Sequence, residues 1–433
     1  MSRLILTNGR ILTLASAATG DGPRRGAAMR ELGILADGEI VIDRGMISAL
    51  DTSGKSPRRP TDRVVNLSGR VVLPAFIDCH THACSAGERY GEMAMRLAGT
   101  PYLDILAAGG GIMSTVRAVR DATVETLASN LRARLALMRA TGTAHVEVKS
   151  GYGLALDAEL RMLCAITAVA ANDPGIVQAT FLGAHAIDGD EHVYCDLVEQ
   201  EMLPSVVRAF GAIPCDVYCE KGAWSRTRAR QLFHAARALG CPLRAHVDQF
   251  NELGFLADAI ELGARTVDHL EATSKDALEI VARSPSIAVL LPGCGLSLDL
   301  RFADGRALVD QGGAVAIATN SNPGSSPMTS MPLAIALAAR FYRFDHAEAI
   351  TAATWNAACA LEIQRHAGSI EVGKRADLAI LPTCDERALA YEWGSVAPSA
   401  TLVGGKLVAG ELVAGELVAG ELVAEELVVR SLD

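Results

Sequence analysis

The segment Asp78-Cys79-His80-Thr81-His82 carries the residue types that metal-assisted hydrolysis requires. Two histidines two positions apart on a strand point to the same side, so both imidazoles can meet one ion. An HxH alone arises often by chance, and its weight here comes from recurrence. His246 closes the apolar run before Asp248-Gln249, His269 follows Val267-Asp268, and His185 follows Gly183-Ala184, each at the end of a strand-like stretch. Five of the chain's ten histidines therefore sit where strands hand over to polar loops. The others, His145, His192, His234, His346 and His366, fall inside strands, helices or connections and read as packing or surface residues.

Such side chains converge only if their strands lie side by side with their ends level. From about residue 71 one unit recurs eight times, a short β-branched run followed by an Ala/Leu/Arg-rich stretch with helical spacing. The strand runs are 71–79, 144–149, 177–183, 215–219, 242–245, 265–268, 286–291 and 314–318, with helices such as 123–140, 158–171 and 225–239 between them. Eight such units without a Gly-rich phosphate loop after the first strand predict a (β/α)8 TIM-type barrel, whose chemistry gathers at the C-terminal ends of its strands. The flanks alternate short apolar runs with turn dipeptides, Asn8-Gly9 and Asp37-Gly38 among them. Neither flank can form a stable sheet alone, which predicts one small β-sandwich domain built from both chain ends, 1–68 with 369–433, and the barrel, 69–368, inserted in it. The tail from 405 to 429 repeats a pentad, GKLVA, GELVA three times and EELVV. A period of five builds no persistent face on a strand or a helix, so the repeats read as a duplicated terminal strand without chemistry.

Composition narrows the function classes. Half of the 433 residues are apolar and 21% charged, which excludes a disordered or fibrous chain. Forty basic residues against fifty acidic ones argue against nucleic acid or an anionic membrane as partner, since Arg24-Arg25 and Arg58-Arg59 are only short basic patches. No signal-peptide pattern or membrane-length apolar run is present, and the ten cysteines include no CxxC pair. These features predict a cytoplasmic protein with reduced, mostly buried thiols.

The histidine pattern resembles the amidohydrolase superfamily, whose first-strand HxH, fifth- and sixth-strand histidines and eighth-strand aspartate surround one or two metals. The similarity extends to its imidazolonepropionase branch, which opens a five-membered ring in histidine breakdown, through segments 74–82, 86–89, 107–116, 146–154, 180–186, 219–223, 290–293 and 322–327. GSIEVGKRAD at 368–377 resembles the strand that closes that family's small β-domain. The resemblance implies one divalent ion, zinc or iron, on His80, His82 and His246, with His269 beside the activated water and position 320 as further ligand and base. It implies that Arg89 clamps a propionate carboxylate, as a planar guanidinium can through two parallel hydrogen bonds. Tyr102, Tyr152 and His185 would surround the ring, Gln249 its edge, and Asn322 its polar atoms. Glu220, where some relatives place a second-metal ligand, reads here as a structural ion pair. A small-molecule substrate and a homodimer follow from the same resemblance.

Two departures qualify the expectation. Position 320 is Asn where the family has Asp, and an amide coordinates weakly through oxygen but cannot accept the proton of the attacking water. Three explanations compete: an inactivating substitution in an otherwise normal enzyme, a naturally inactive metal- and ligand-binding barrel, or a mechanism with another base. The intact remainder of the site favours the first. Cys84 and Cys294 place thiols near the expected pocket, which motivates an alternative substrate, the 2-thioxo analogue, opened with release of sulfide.

Overall fold

The computed structural model describes residues 2–15, 20–100, 104, 109–298 and 300–412. Tyr102 and most of the pentad tail lie outside the described residues. Eight parallel strands pair in chain order: β6 (Phe76–Asp78), β7 (Thr143–Lys149), β8 (Val177–Ala184), β9 (Cys215–Cys219), β10 (Leu243–Val247), β11 (Thr266–His269), β12 (Ile287–Leu290) and β13 (Val315–Ile317). Their residues are almost all buried because helices cover the outer face and side chains fill the inside, which is why they read as continuous apolar runs. The ring is drawn together at its rim between the first and last strands. Asn320 N donates to His80 O at 3.1 Å, His82 N donates to Ser321 O at 2.9 Å, and the Asp78 carboxylate accepts from Thr319 N at 3.0 Å and from the Thr319 hydroxyl.

The remaining strands form one mixed sheet from both chain ends. Its order is β16 (Lys406–Gly410), β15 (Ala400–Val403), β14 (Leu378–Ile380), β5 (Val71–Pro74), β1 (Leu4–Leu12), β2 (Ile34–Asp43) and β3 (Met46–Thr52), and β4 (Arg63–Asn66) also pairs with β1. Side chains from β1, β2, β3, β4, β5, β14 and β15 share a core separate from the barrel's, so the sheet must curl over itself. The run at 71–79, expected as one barrel strand, is divided between the two sheets. Val71–Pro74 pairs with β1 and β14, whereas Phe76–Asp78 pairs with β7. Pro74 has no N–H to carry a ladder onward, and Ala75 N turns to Asp377 O instead.

The expected turns Asn8-Gly9 and Asp37-Gly38 are not turns. Gly9 pairs with Gly38 in the middle of the β1–β2 ladder, where a side chain on Gly38 would strike Ile11. The actual β2–β3 reversal uses Arg44 and Gly45, both with positive φ (50° and 81°), matching the twist that two-residue hairpins require. The first pentad forms the edge strand β16, antiparallel to β15. No described helix is long and apolar enough to cross a membrane.

One helix also fixes a site loop. Glu159, buried on Leu156–Ala170, accepts hydrogen bonds from the backbone of Gly151 (3.0 Å), Gly153 (2.7 Å) and Leu154 (2.9 Å), which shapes the turn presenting Tyr152. Replacing Glu159 with Ala strands three backbone donors. Urea unfolding of Glu159→Ala is expected to show a loss of about 2–4 kcal/mol; an unchanged midpoint would refute this account of the loop.

Candidate active site

His80 and His82 follow β6, His246 lies in β10, and their rings meet inside the barrel mouth. All three are buried, and one nitrogen from each lies within 4.8 Å of the others. A carboxylate beneath sets the tautomer of two of them. His80 Nδ1 donates to Asp268 Oδ2 at 2.6 Å and His246 Nδ1 to Asp216 Oδ1 at 3.0 Å, so the proton sits on Nδ1 and Nε2 presents a lone pair. His80 Nε2 and Asn320 Oδ1 are buried without a partner, and His246 Nε2 stands 3.3 Å from His82 Nε2. His82 Nδ1 is likewise buried without a partner, and unpartnered nitrogen and oxygen atoms in a dry pocket are unfavourable, so these donors fit a divalent metal ion.

A network of buried charges adjoins the histidines. Lys149 Nζ bridges Glu147 Oε1 (2.7 Å) and Asp216 Oδ2 (2.8 Å), and Arg244 Nη2 donates to Cys79 O at 2.7 Å while lying 3.6 Å from Asp268. All these side chains are buried. Two cations, Lys149 and Arg244, face three carboxyl groups, Glu147, Asp216 and Asp268, and burial raises the pKa of Asp268 against the pull of Arg244 and Lys149. Burial holds the His80 and His82 imidazoles well below their ordinary pKa, aided by the Lys149 and neighbouring imidazole charges, which keeps them neutral as ligands must be. His246 is lowered by burial too, although Asp216 opposes it.

Around this centre the strand ends supply further groups. His185 stacks on His82 with centroids 4.8 Å apart and donates Nδ1–H to Gly151 O at 2.9 Å; burial and the His246 charge hold its pKa down to about 3. Tyr152 lies 5.2 Å from His185 and 5.8 Å from His82, ring centre to ring centre. His269 Nδ1 lies 3.2 Å from both Glu271 oxygens. Burial disfavours its charged form, but Glu271 and Cys294 outweigh burial and push its pKa up to about 10. Gln249 donates from Nε2 to Cys294 Sγ at 3.1 Å and accepts from Tyr218 OH at 2.9 Å. Asp248, His269, Leu270 and Asn320 all have positive φ, a strained conformation that the packed rim must sustain and that redirects the chain after β10, β11 and β13.

Other expected residues are engaged elsewhere in the structure. Arg89 is held by Glu92 (2.6 and 3.0 Å), and its guanidinium lies against Gly324, where a side chain would collide with it. Asn322 spends its amide on its own turn, donating to Asn320 O (2.6 Å) and accepting from Gly324 N and Ser325 N. Cys84 Sγ faces Met162 O at 3.9 Å, toward the Leu156–Ala170 helix, and burial pushes its thiol up to about 12. Glu220 bonds the backbone of Phe250 and Asn251 and the Asn251 amide, a structural use, though its partners are loop amides rather than an ion pair. Eight of the ten cysteines are buried and all are free, with Cys164 and Cys384 exposed. Sequence reasoning missed Lys149, Glu147, Asp216 and Asp268, whose signal was available as charged residues inside otherwise apolar strands, and Tyr218 and Glu271, which carried none.

A parallel eight-stranded barrel with histidines at its C-terminal rim and a β-domain from both chain ends defines a barrel hydrolase of the metal-binding type. The chain belongs to the amidohydrolase family, whose model matches residues 71–408. Among curated relatives, the imidazolonepropionase of Chloroflexus aggregans is 45% identical over 398 residues, covering 88% of this chain and 93% of that one. That of Deinococcus radiodurans is 42% identical over 384 residues, covering 89% and 95%. The fold matches a solved adenosine deaminase from Xanthomonas campestris (TM-score 0.70, 18% identity, 96% and 95% covered) and a 5-methylcytosine deaminase from Klebsiella pneumoniae (TM-score 0.72, 16% identity, 96% and 99% covered).

Asp216 fixes the ring of His246 and neutralises Lys149 at once. In Asp216→Asn, metal affinity measured by competition with a chromophoric chelator is expected to fall about 10–100-fold. Unchanged affinity would refute the positioning role.

Proposed function

We propose that this chain opens an imidazolone ring bearing a propionate by hydrolysis of a ring C–N bond. The observation that carries the proposal is the set of buried imidazoles that converge at the barrel mouth, in a chain whose relatives above are named imidazolonepropionase. The relatives' shared name lends no support to the sulfide-releasing or binding-only readings. His80, His82 and His246 would hold one zinc or iron ion, with Asn320 Oδ1 as a weak fourth donor. Such an ion polarises a carbonyl and lowers the pKa of bound water toward neutrality.

The chain's own groups do the rest. Arg89 exchanges Glu92 for the substrate propionate, which presents the same carboxylate geometry. Tyr152 and His185 form a wall for the planar ring, and Gln249 and Tyr218 address its edge. Asn322 acts through the 320–325 loop that backs Arg89. His269, charged at neutral pH, donates a hydrogen bond to the ring oxygen and then a proton to the departing nitrogen. Asn320 cannot take the proton from the attacking water, which makes this position the bottleneck. The enzyme is proposed to be a cytoplasmic homodimer that contacts neither nucleic acid nor membrane.

Metal-loaded Asn320→Asp is expected to open the ring about 10²–10⁴ times faster than the unaltered chain, followed through loss of ring absorbance. Equal rates would show that the base lies elsewhere, and inactivity of both with metal bound would sink the substrate assignment. In the Asn320→Asp background, Arg89→Lys is expected to raise KM roughly tenfold with kcat little changed, because an ammonium loses the paired hydrogen bonds; a fall in kcat alone would contradict this.

A further inference from the structure

Beside the three-histidine centre lies a second group of donors with different chemistry. His269 ends β11, Glu271 follows two residues later, and Cys294 comes from the Pro292–Ser297 turn after β12. One donor atom from each lies within 4.8 Å of the others, and the three side chains are only 1–3% exposed. The consecutive positive φ values of His269 (85°) and Leu270 (71°) bend the chain so that the Glu271 carboxylate returns to the ring of His269.

We infer that His269 Nδ1, Glu271 and Cys294 Sγ form a second cation site, selective for a thiophilic divalent ion of the zinc type. The contacts of His269 with Glu271 are long for a committed hydrogen bond. Its Nδ1 lies 3.2 Å from both Glu271 oxygens, whereas the committed His80–Asp268 bond measures 2.6 Å, and Cys294 competes for the same imidazole. An ion in the middle engages all three donors at once. Donors at about 2.0–2.3 Å from zinc stand roughly 3.5 Å apart, so drawing the set together takes about 1 Å of side-chain adjustment. A thiolate, a carboxylate and a neutral imidazole balance a divalent charge and leave one position open, and the thiolate disfavours magnesium and calcium.

The surroundings suit a sulfur ligand. Gln249 directs an amide N–H at Cys294 Sγ from 3.1 Å, and Tyr218 holds that amide by its oxygen. This is the outer support that ligating sulfur commonly receives. The new site shares no donor residue with the first, although its neighbour His246 has its ring centre only 5.4 Å from that of His269. Binding there displaces the Nδ1 proton of His269, so an ion in this position removes His269 from proton transfer. The site thus gives excess zinc a route to inhibit the reaction proposed above, but the existence of the site does not depend on the identity of the substrate.

The test uses the full chain, stripped with a chelator and titrated with Co²⁺ alone and with Zn²⁺ alone. Two equivalents per chain are expected, one of them with a thiolate-to-cobalt charge-transfer band in the near ultraviolet. Cys294→Ser and Cys294→Ala should each abolish the band and one equivalent, with circular dichroism confirming the fold. Glu271→Gln should weaken that equivalent alone, and Gln249→Leu should weaken it by roughly 10–100-fold. His82→Ala should remove the other equivalent and leave the band. A single equivalent without the band in the unaltered chain, a band that survives Cys294→Ser, or loss of both equivalents in His82→Ala would overturn the inference. Ring-opening assays on the same samples report separately on the substrate assignment, because stoichiometry and band require no turnover.

Discussion

Imidazoles that are to bind a cation must be neutral, oriented and stripped of water, and those demands shape the interior of this barrel. A buried histidine turns its lone pair inward only if its other nitrogen has an acceptor, and Asp268 and Asp216 supply that for His80 and His246. Buried carboxylates in turn need cations, and Lys149 and Arg244 supply them. Histidines, carboxylates and cations thus form one buried network, each partner making the next tolerable. The arrangement is costly to assemble, and the carboxylates that orient the imidazoles are the same ones that contact the buried cations.

The loops at the rim obey a related rule. Each carries backbone groups that no ladder satisfies, and several rely on one buried polar side chain as acceptor: Glu159 for residues 151–154, Glu220 for residues 250–251, Asn322 for residues 324–325. These anchors explain how Tyr152, Gln249 and the Arg89 platform keep fixed positions without regular secondary structure. They also explain why Glu220 is a structural residue although it ends the fourth barrel strand, a position that could otherwise have offered a ligand.

Amides at 249 and 320 give the mouth an unusual balance. Donors and acceptors are plentiful, yet the obvious proton acceptor of a hydrolytic site is absent, while the acids present are committed to imidazoles or loop amides. On the function proposed above, metal binding and ring recognition place different demands on the site: the first would need lone pairs and the second shape and a cation for the propionate. Proton transfer alone would then depend on a carboxylate at position 320, and one substitution there would alter rate without dismantling the pocket.

Much was legible in the residues alone. The eight β-then-α units set the barrel, because apolar periodicity reports burial directly, and the strand-terminal histidines set the centre, because strand ends of a closed parallel sheet share one rim. His80, His82 and His246 meet as the sequence implied. Tertiary structure decided what local patterns could not. Asn8-Gly9 and Asp37-Gly38 read as turns but face each other within a ladder, since the close approach of two strands also demands glycine. The run 71–79 looked continuous, yet it serves two sheets, because burial marks a strand without naming its neighbour. The ion-pair layer of Lys149, Asp216 and Asp268, and the meeting of Cys294 with His269 and Glu271, join residues distant along the chain. Sequence fixes which side chains can carry charge or bind an ion; only the closed barrel fixes which of them share a low-dielectric space, and that shared space determines their chemistry.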